Sequence, residues 1–239
     1  MEIIYLDQDI IVVSKPPGIP VHGGLHVKGP ALTDFLTKKF PEIKGVGEDP
    51  ARPGIVHRLD KDTSGVMVVA RNQKSFETLK KIFQERRADK TYWAIVCGKP
   101  KERQGMISLP IGRMVKNPLK RGVEQAKSRI RGAREAITEY RVLKAGSEYS
   151  LVELWPKTGR MHQLRVHMKA LGHPVACDKI YGGKNVCCPT SAKAAAGKPE
   201  VMARQLLHAK SLSFSFPEGR KLHFEADPPE DFSKAVEVL

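Results

Sequence analysis

PGIVHRLDKDTSGVMVVAR, residues 53 to 71, sets a charged turn directly against an apolar run. Val66 to Ala70 reads as a buried strand rather than a surface loop. Asp60 stands just before it, between the basic pair His57 and Arg58 and the polar turn Thr63, Ser64 and Gly65. A carboxylate at the edge of a core is costly unless it is paired, so Asp60 requires either a structural partner or a chemical task.

Working outward, short β-type segments dominate: Glu2 to Leu6, Ile10 to Ser14, Thr91 to Cys97, Thr138 to Leu143, Ser150 to Trp155, Leu212 to Phe216 and Leu222 to Phe224. Leu212, Phe214 and Phe216 alternate with Ser213 and Ser215, the pattern of a half-buried strand. Helices are fewer. Asn72 is a suitable N-cap for a helix through about Arg87, with Phe76, Leu79, Ile82 and Phe83 as its apolar stripe. A second helix is predicted from about His162 to Leu171, closed by Gly172 and Pro174. Consecutive strands with few helices predict an α+β protein with a mixed, mostly antiparallel sheet. Gly18 to Pro30, a basic loop at 113–134 and an insertion at 182–204 read as irregular, and loops of that length are usually functional or mobile.

With 239 residues, 41% hydrophobic and 28% charged, the chain can bury a core without disulfides or metals, as a single domain over 1–239 or two joined units. The charge is less ordinary. A net +15 and a pI near 9.7 suggest a polyanionic partner, against the bland reading of charge that merely aids solubility. It is also uneven: residues 113–134 hold eight Lys or Arg against one acid, Glu124, while the stretch from Pro217 onward carries six acids against three bases. The start shows no signal-peptide pattern, and no apolar stretch approaches the ~20 residues of a membrane span, so a cytoplasmic protein is expected. The cysteines Cys97, Cys177, Cys187 and Cys188 lack CxxC spacing and read as reduced thiols; adjacent ligands make a zinc site with His173 an unusual arrangement. No Walker loop, Rossmann glycine pattern or HExxH is present, and neither cofactor nor metal is expected.

On the second predicted helix, His162, Arg165 and Lys169 share one side at spacings of three and four. Arg165 can reach a carboxylate from there, or it is simply a solvated arginine on a surface helix. HRLDKDTSG (57–65), DKTYWAIVCG (89–98) and TGRMHQLRVHMKALGHPVACDKIYGG (158–183) occur in that order, flanked by SKPPGIPVH (14–22) and RQLLHAKSLSFSFP (204–217). Together they resemble the RluA-type family of RNA pseudouridine synthases over nearly the whole chain.

That resemblance implies a pseudouridine-synthase fold with an active-site cleft across its sheet, and an isomerase that cuts the C1′–N1 bond of uridine and rejoins the sugar at C5 without a cofactor. It implies Asp60 as the catalytic aspartate, Tyr92 stacking on the target base and Arg165 pairing with Asp60. Whether Asp60 attacks the ribose, adds to the ring or assists elimination is not decided by residue types. Arg58 is implied to enter the RNA where the flipped nucleotide leaves, an extrusion needed because a stacked base is inaccessible. Leu207 is the candidate apolar contact under the uracil. His57 and His162 read as orienting or backbone-bonding groups rather than general bases, and Lys15 as structural, placing the turn.

Two departures from the family pattern stand out. Met161 occupies the position where threonine is usual, which removes a hydroxyl near the helix start. The chain also begins directly with the catalytic region, so no S4 domain is expected. Affinity for an rRNA or tRNA stem-loop then falls to the basic segment, with Lys120, Arg121, Arg129 and Arg131 as phosphate contacts. Nothing in the sequence demands more than a monomer. The rival readings are an RNA-binding or ribosome-assembly protein that retains the fold, and a glycosidase, which would need a second carboxylate such as Asp62 as its acid.

Overall fold

The apolar run after Asp60 forms a strand over Ser64–Ala70 in which every residue is buried. The computed structural model describes residues 1–24, 29–125, 129–182, 188, 204–237 and 239, and the chain divides into two units. In chain order, the first unit begins with β1 (Glu2–Leu6), β2 (Ile10–Lys15), α1 (Leu32–Lys39), β3 (Ser64–Ala70) and α2 (Gln73–Gln84). The second follows with β4 (Asp89–Cys97), β5 (Gln104–Ser108), β6 (Ile111–Met114), β7 (Arg121–Val123), β8 (Ile130–Arg134), β9 (Ile137–Ala145), β10 (Tyr149–Pro156) and α3 (Gln163–Ala170). β11 (Leu207–Ser215) and β12 (Lys221–Glu225) return to the first unit, and α4 (Glu230–Glu237) to the second.

In the first unit β2 lies between β1 and β3, antiparallel to both. β11 adds to β3 in parallel and β12 pairs with β11 antiparallel, so the sheet is mixed. The parallel step needs a close backbone approach. A Cβ on Gly65, whose φ is +119°, would stand 2.2 Å from the Ala209 carbonyl oxygen, which only glycine avoids. α2 starts where the sequence places it: the Asn72 side chain accepts the Ser75 amide, and Phe76, Leu79 and Ile82 are buried. The alternation at the end of β11 also holds, with Leu212, Phe214 and Phe216 buried.

In the second unit β10 lies between β4 and β9, with β5 outside β9, all antiparallel. β4 separates two cores by strict alternation. Tyr92, Ala94 and Val96 pack with Leu164 and Met168 of α3, while Trp93, Ile95 and Cys97 pack with Phe232 and Ala235 of α4.

Two sequence expectations need correction. The basic stretch 113–134, read as a loop, contributes strands to a three-stranded antiparallel sheet in the order β7-β6-β8. Glycine makes this possible: Gly112 faces Gly122 across the strands, and a Cβ on Gly112 would fall 2.8 Å from the Arg131 carbonyl oxygen. Backbone pairing consumes the polar main chain and leaves the cationic side chains outward. Spacing also implies reduced thiols, whereas Cys177 and Cys188 are joined by a disulfide with their Cα atoms 4.8 Å apart. Both lie at the apolar cluster of Ile95 and Phe232, where Cys97 also packs, a proximity that a sequence separation of 11 does not reveal. Most of the insertion at 182–204, including Cys187, lies outside the described residues. α1, β5 and α4 were not anticipated from the pattern of the sequence.

Candidate functional site

Asp60 opens a tight turn in which the Thr63 amide donates to its carbonyl oxygen at 3.1 Å. Three neighbours shape that turn. Lys15, fully buried at the end of β2, donates from Nζ to the carbonyls of Pro16, Ile19 and Lys61 at 2.8 to 2.9 Å. Three acceptors match the three protons of an ammonium, so one side chain ties the SKPPG turn to the residue after Asp60. His57 accepts the Val68 amide at Nε2 (3.1 Å) and stacks on Phe83 with ring centroids 4.4 Å apart. Desolvation, with the Lys90 ammonium adding to it, pushes its pKa down to about 3, so the ring is neutral with its proton on Nδ1. Leu59 points into the core, Asp60 itself is half-buried, and Arg58 is exposed with Nη1 3.2 Å from His22 Nε2.

Behind the turn, β3 is fixed to β11 by side chains as well as backbone. His208 is fully buried, and its Nε2–H donates to the Ala226 carbonyl at 2.9 Å. Its Nδ1 is thereby left as an acceptor for the Ser64 hydroxyl, also at 2.9 Å.

The second unit carries Tyr92, Leu207 and Arg165. Tyr92, half-buried, packs against the cluster that contains Leu207, Leu164 and Met168, so the structure brings the two proposed base contacts to one core. Arg165 is not a solvated surface arginine: it is 3% exposed, on a helix whose first six residues are all buried. Its Nε and Nη2 donate to the two oxygens of fully buried Asp178 at 2.7 and 2.8 Å, a bidentate pair. Asp178 also accepts the amides of Ile180 and Tyr181. Burial alone would raise the Asp178 pKa; the Arg165 guanidinium and the two amides outweigh it and hold the carboxyl below its usual range. The guanidinium lies 5.0 Å from the Tyr181 ring centroid.

The start of α3 explains why Met161 is tolerated. The N-cap is His162, in the left-handed region with φ 58°, and its side chain makes no cap bond. Gln163 serves instead: its Oε1 accepts from the Thr158 hydroxyl and the Arg160 amide, and its Nε2 donates to Ile137 O and Thr138 Oγ1. Met161 points outward, 43% exposed, so a threonine hydroxyl there is no part of this network.

Tyr181 joins the basic sheet to α3. Its hydroxyl accepts the Arg121 amide at 3.0 Å and lies 2.8 Å from His162 Nδ1, while Ile111, Ala136, Val166 and Tyr181 form a small core. Against this support the sheet and the Arg160–Met161 turn border an open cavity of about 630 Å³. Arg113, Arg121, Arg131, Arg134 and Arg160 line it, with no carboxylate among the described lining residues. Of the four proposed phosphate contacts, Arg121 and Arg131 line the cavity, Lys120 approaches the Ile180 carbonyl at 3.5 Å, and Arg129 is exposed.

Residues 9–170 match the family model described as RNA pseudouridylate synthase. The chain belongs to that family. This synthase is 37% identical over its full length to an uncharacterized RNA pseudouridine synthase of Synechocystis, of which it covers 69%. It is 39% identical, again over its full length, to the ribosomal large subunit pseudouridine synthase D of Neisseria meningitidis, covering 61% of that protein. Among solved structures it is similar to human RNA pseudouridylate synthase domain containing 4, with a TM-score of 0.74, 30% identity and coverage of 98% of this chain and 91% of the other. The fold is that of the pseudouridine synthases, and the protein is an isomerase that acts on RNA.

Sequence reasoning missed several residues that shape this synthase's site. Asp178 and Tyr181 lie within the quoted DKIYGG run, where an acid beside an aromatic gives no sign of which helix it serves. Arg113, Arg134 and Arg160 were legible only as charge. No group of His, Cys, Asp and Glu suited to a metal occurs among the described residues.

Proposed function

We propose that this synthase isomerises uridine in a folded ribosomal RNA, with Asp60 as its catalytic carboxylate. The shaped turn at Asp60 is the observation that carries the assignment. Lys15 contributes a buried ammonium whose bonds to the Pro16, Ile19 and Lys61 carbonyls tie the SKPPG turn to the Asp60 turn, a costly arrangement that a mere binding surface does not require.

In the reaction the C1′–N1 bond of uridine breaks, a C1′–C5 bond forms, the proton on C5 is lost and N1 gains one. Asp60 acts at the detaching sugar and base as an ionised carboxylate. Tyr92 stacks on the uracil above the cluster that holds Leu207, and takes part in proton transfer. The family resemblance assigns Arg165 to Asp60, and the orientation of its guanidinium is set by Asp178. Arg58 fills the space left by the extruded nucleotide, helping to offset the few kcal/mol of unstacking. Lys120, Arg121, Arg129 and Arg131 contact phosphates.

Ribosomal RNA is favoured because relatives from Neisseria and Borreliella carry the name ribosomal large subunit pseudouridine synthase D. The enzyme works as a monomer in the cytoplasm, as one catalytic domain made of both units. The test is pseudouridine mapping of cellular RNA in a strain lacking the gene, complemented with wild type or Asp60→Asn. Loss of one or a few ribosomal sites that only wild type restores is expected. The variant should bind RNA within about 3-fold of wild type, because an interaction made only in the transition state leaves ground-state binding intact. Restoration by Asp60→Asn removes Asp60 from its role; loss confined to transfer RNA replaces the substrate.

A further inference from the structure

The cavity beside the basic sheet differs from a track for backbone phosphates in two respects. It is concave and of a size that admits a whole nucleotide, at about 630 Å³. Its wall is also mixed: among the arginines stand Met114 and Met161, 36% and 43% exposed, with Val115 and Pro118 beside them. Large apolar side chains left in water inside a ring of guanidinium groups are poorly placed for phosphate and well placed for the face of a base.

The lining is held rather than loose. Arg160 Nε donates to the Glu135 carbonyl, Arg121 Nη1 to the Pro118 carbonyl, and the Tyr181 hydroxyl fixes the Arg121 backbone. Gly112 and Gly132 are among its lining residues.

We propose that this cavity seats one unpaired nucleotide of the substrate RNA, its phosphate among the guanidinium groups and its base against the Met161 thioether. A paired base has both faces covered by its neighbours and does not enter a concavity, so the site selects RNA with a splayed nucleotide. Met161, where the family usually has threonine, is then a specificity-determining residue of this chain. This inference rests on the RNA-synthase reading but not on the assignment of Asp60 or of ribosomal RNA.

The test compares two fluorescein-labelled probes of one sequence, a single-stranded RNA decamer and the same decamer annealed to its complement, by anisotropy. Met161→Ala, an exposed change that leaves the fold intact, should weaken the single strand about 5-fold, the low end of what one stacked base contributes, and the duplex less than about 2-fold. The double variant Arg131→Gln, Arg134→Gln should weaken both probes and lower the salt slope by about 1 to 2. The inference is overturned if Met161→Ala leaves both probes unchanged or weakens them equally, which makes the cavity a phosphate track. Binding of free UMP tighter than ~100 µM by calorimetry overturns it differently, as a free-nucleotide site. Pseudouridine mapping is read separately, so failure of the catalytic assignment leaves the probe comparison interpretable.

Discussion

Asp178→Asn isolates one charge in the buried pair with Arg165. Both side chains are almost fully enclosed, at 0% and 3% exposed, and two guanidinium nitrogens share one carboxylate. The variant keeps the shape but replaces one charge-assisted acceptor with an amide, so Arg165 loses the charged half of its buried bidentate pair. Breaking such a pair by removing one partner costs about 3–5 kcal/mol. For a chain of this length each kcal/mol shifts the melting temperature by about 2–4 °C, so the expected loss is roughly 6–20 °C at pH 7. The pH dependence gives an independent reading. The Asp178 pKa is lower in the folded state than in the unfolded chain. Its contribution is therefore complete above the unfolded carboxylate pKa and is lost as pH falls through the folded value. Melting curves of wild type and variant, followed by circular dichroism, should lie furthest apart near neutrality and converge in acid, where the wild-type carboxyl is itself neutral. A shift of less than about 2 °C at pH 7, or a gap that does not shrink in acid, would refute the account of this pair.

Lys15→Met removes a buried ammonium and strands three carbonyl acceptors; at about 1–3 kcal/mol per unsatisfied group it should destabilise the protein by at least ~3 kcal/mol in urea titration, and a neutral result denies the turn its anchor. The His57 pKa, lowered to about 3, predicts a neutral ring from pH 8 to 5 by nitrogen-15 NMR; its share of stability is present above the unfolded value near 6.5 and is lost as pH falls toward the folded one, and an imidazolium signal at pH 6 contradicts it. Neutralising Lys120, Arg121, Arg129 and Arg131 together should flatten the salt dependence of RNA binding, by about 0.7 to 0.9 in log–log slope for each phosphate contact removed; an unchanged slope makes them a solvated charge run.

Much of the fold was legible because local rules and the global structure agree. β1 has the predicted bounds, α2 begins at the predicted cap, and Tyr92 and Trp93 divide between two cores as alternation requires. What escaped depends on contacts distant in sequence. The basic sheet pairs strands rich in arginine and glycine that carry no alternating apolar signal. Arg165 reads as a surface residue by helix spacing because its partner Asp178 lies beyond the helix end. The disulfide is invisible to spacing for the same reason. At the candidate site, the identities of Asp60, Tyr92 and Arg165 came from motif order, whereas Lys15 and His57 are supporting residues whose structural role sequence reading anticipated.

The parallel pairing of β3 with β11 has a temporal side. Ser64 meets His208 across 144 positions of chain, so during synthesis the strand that follows the Asp60 turn has one open edge until its distant neighbour emerges. At about 5–20 residues per second that wait lasts roughly 7 to 29 s. Throughout it an apolar strand end exposes unpaired main-chain groups, the kind of edge that invites misassociation. A nascent chain stalled before residue 208 therefore presents that edge without its native neighbour.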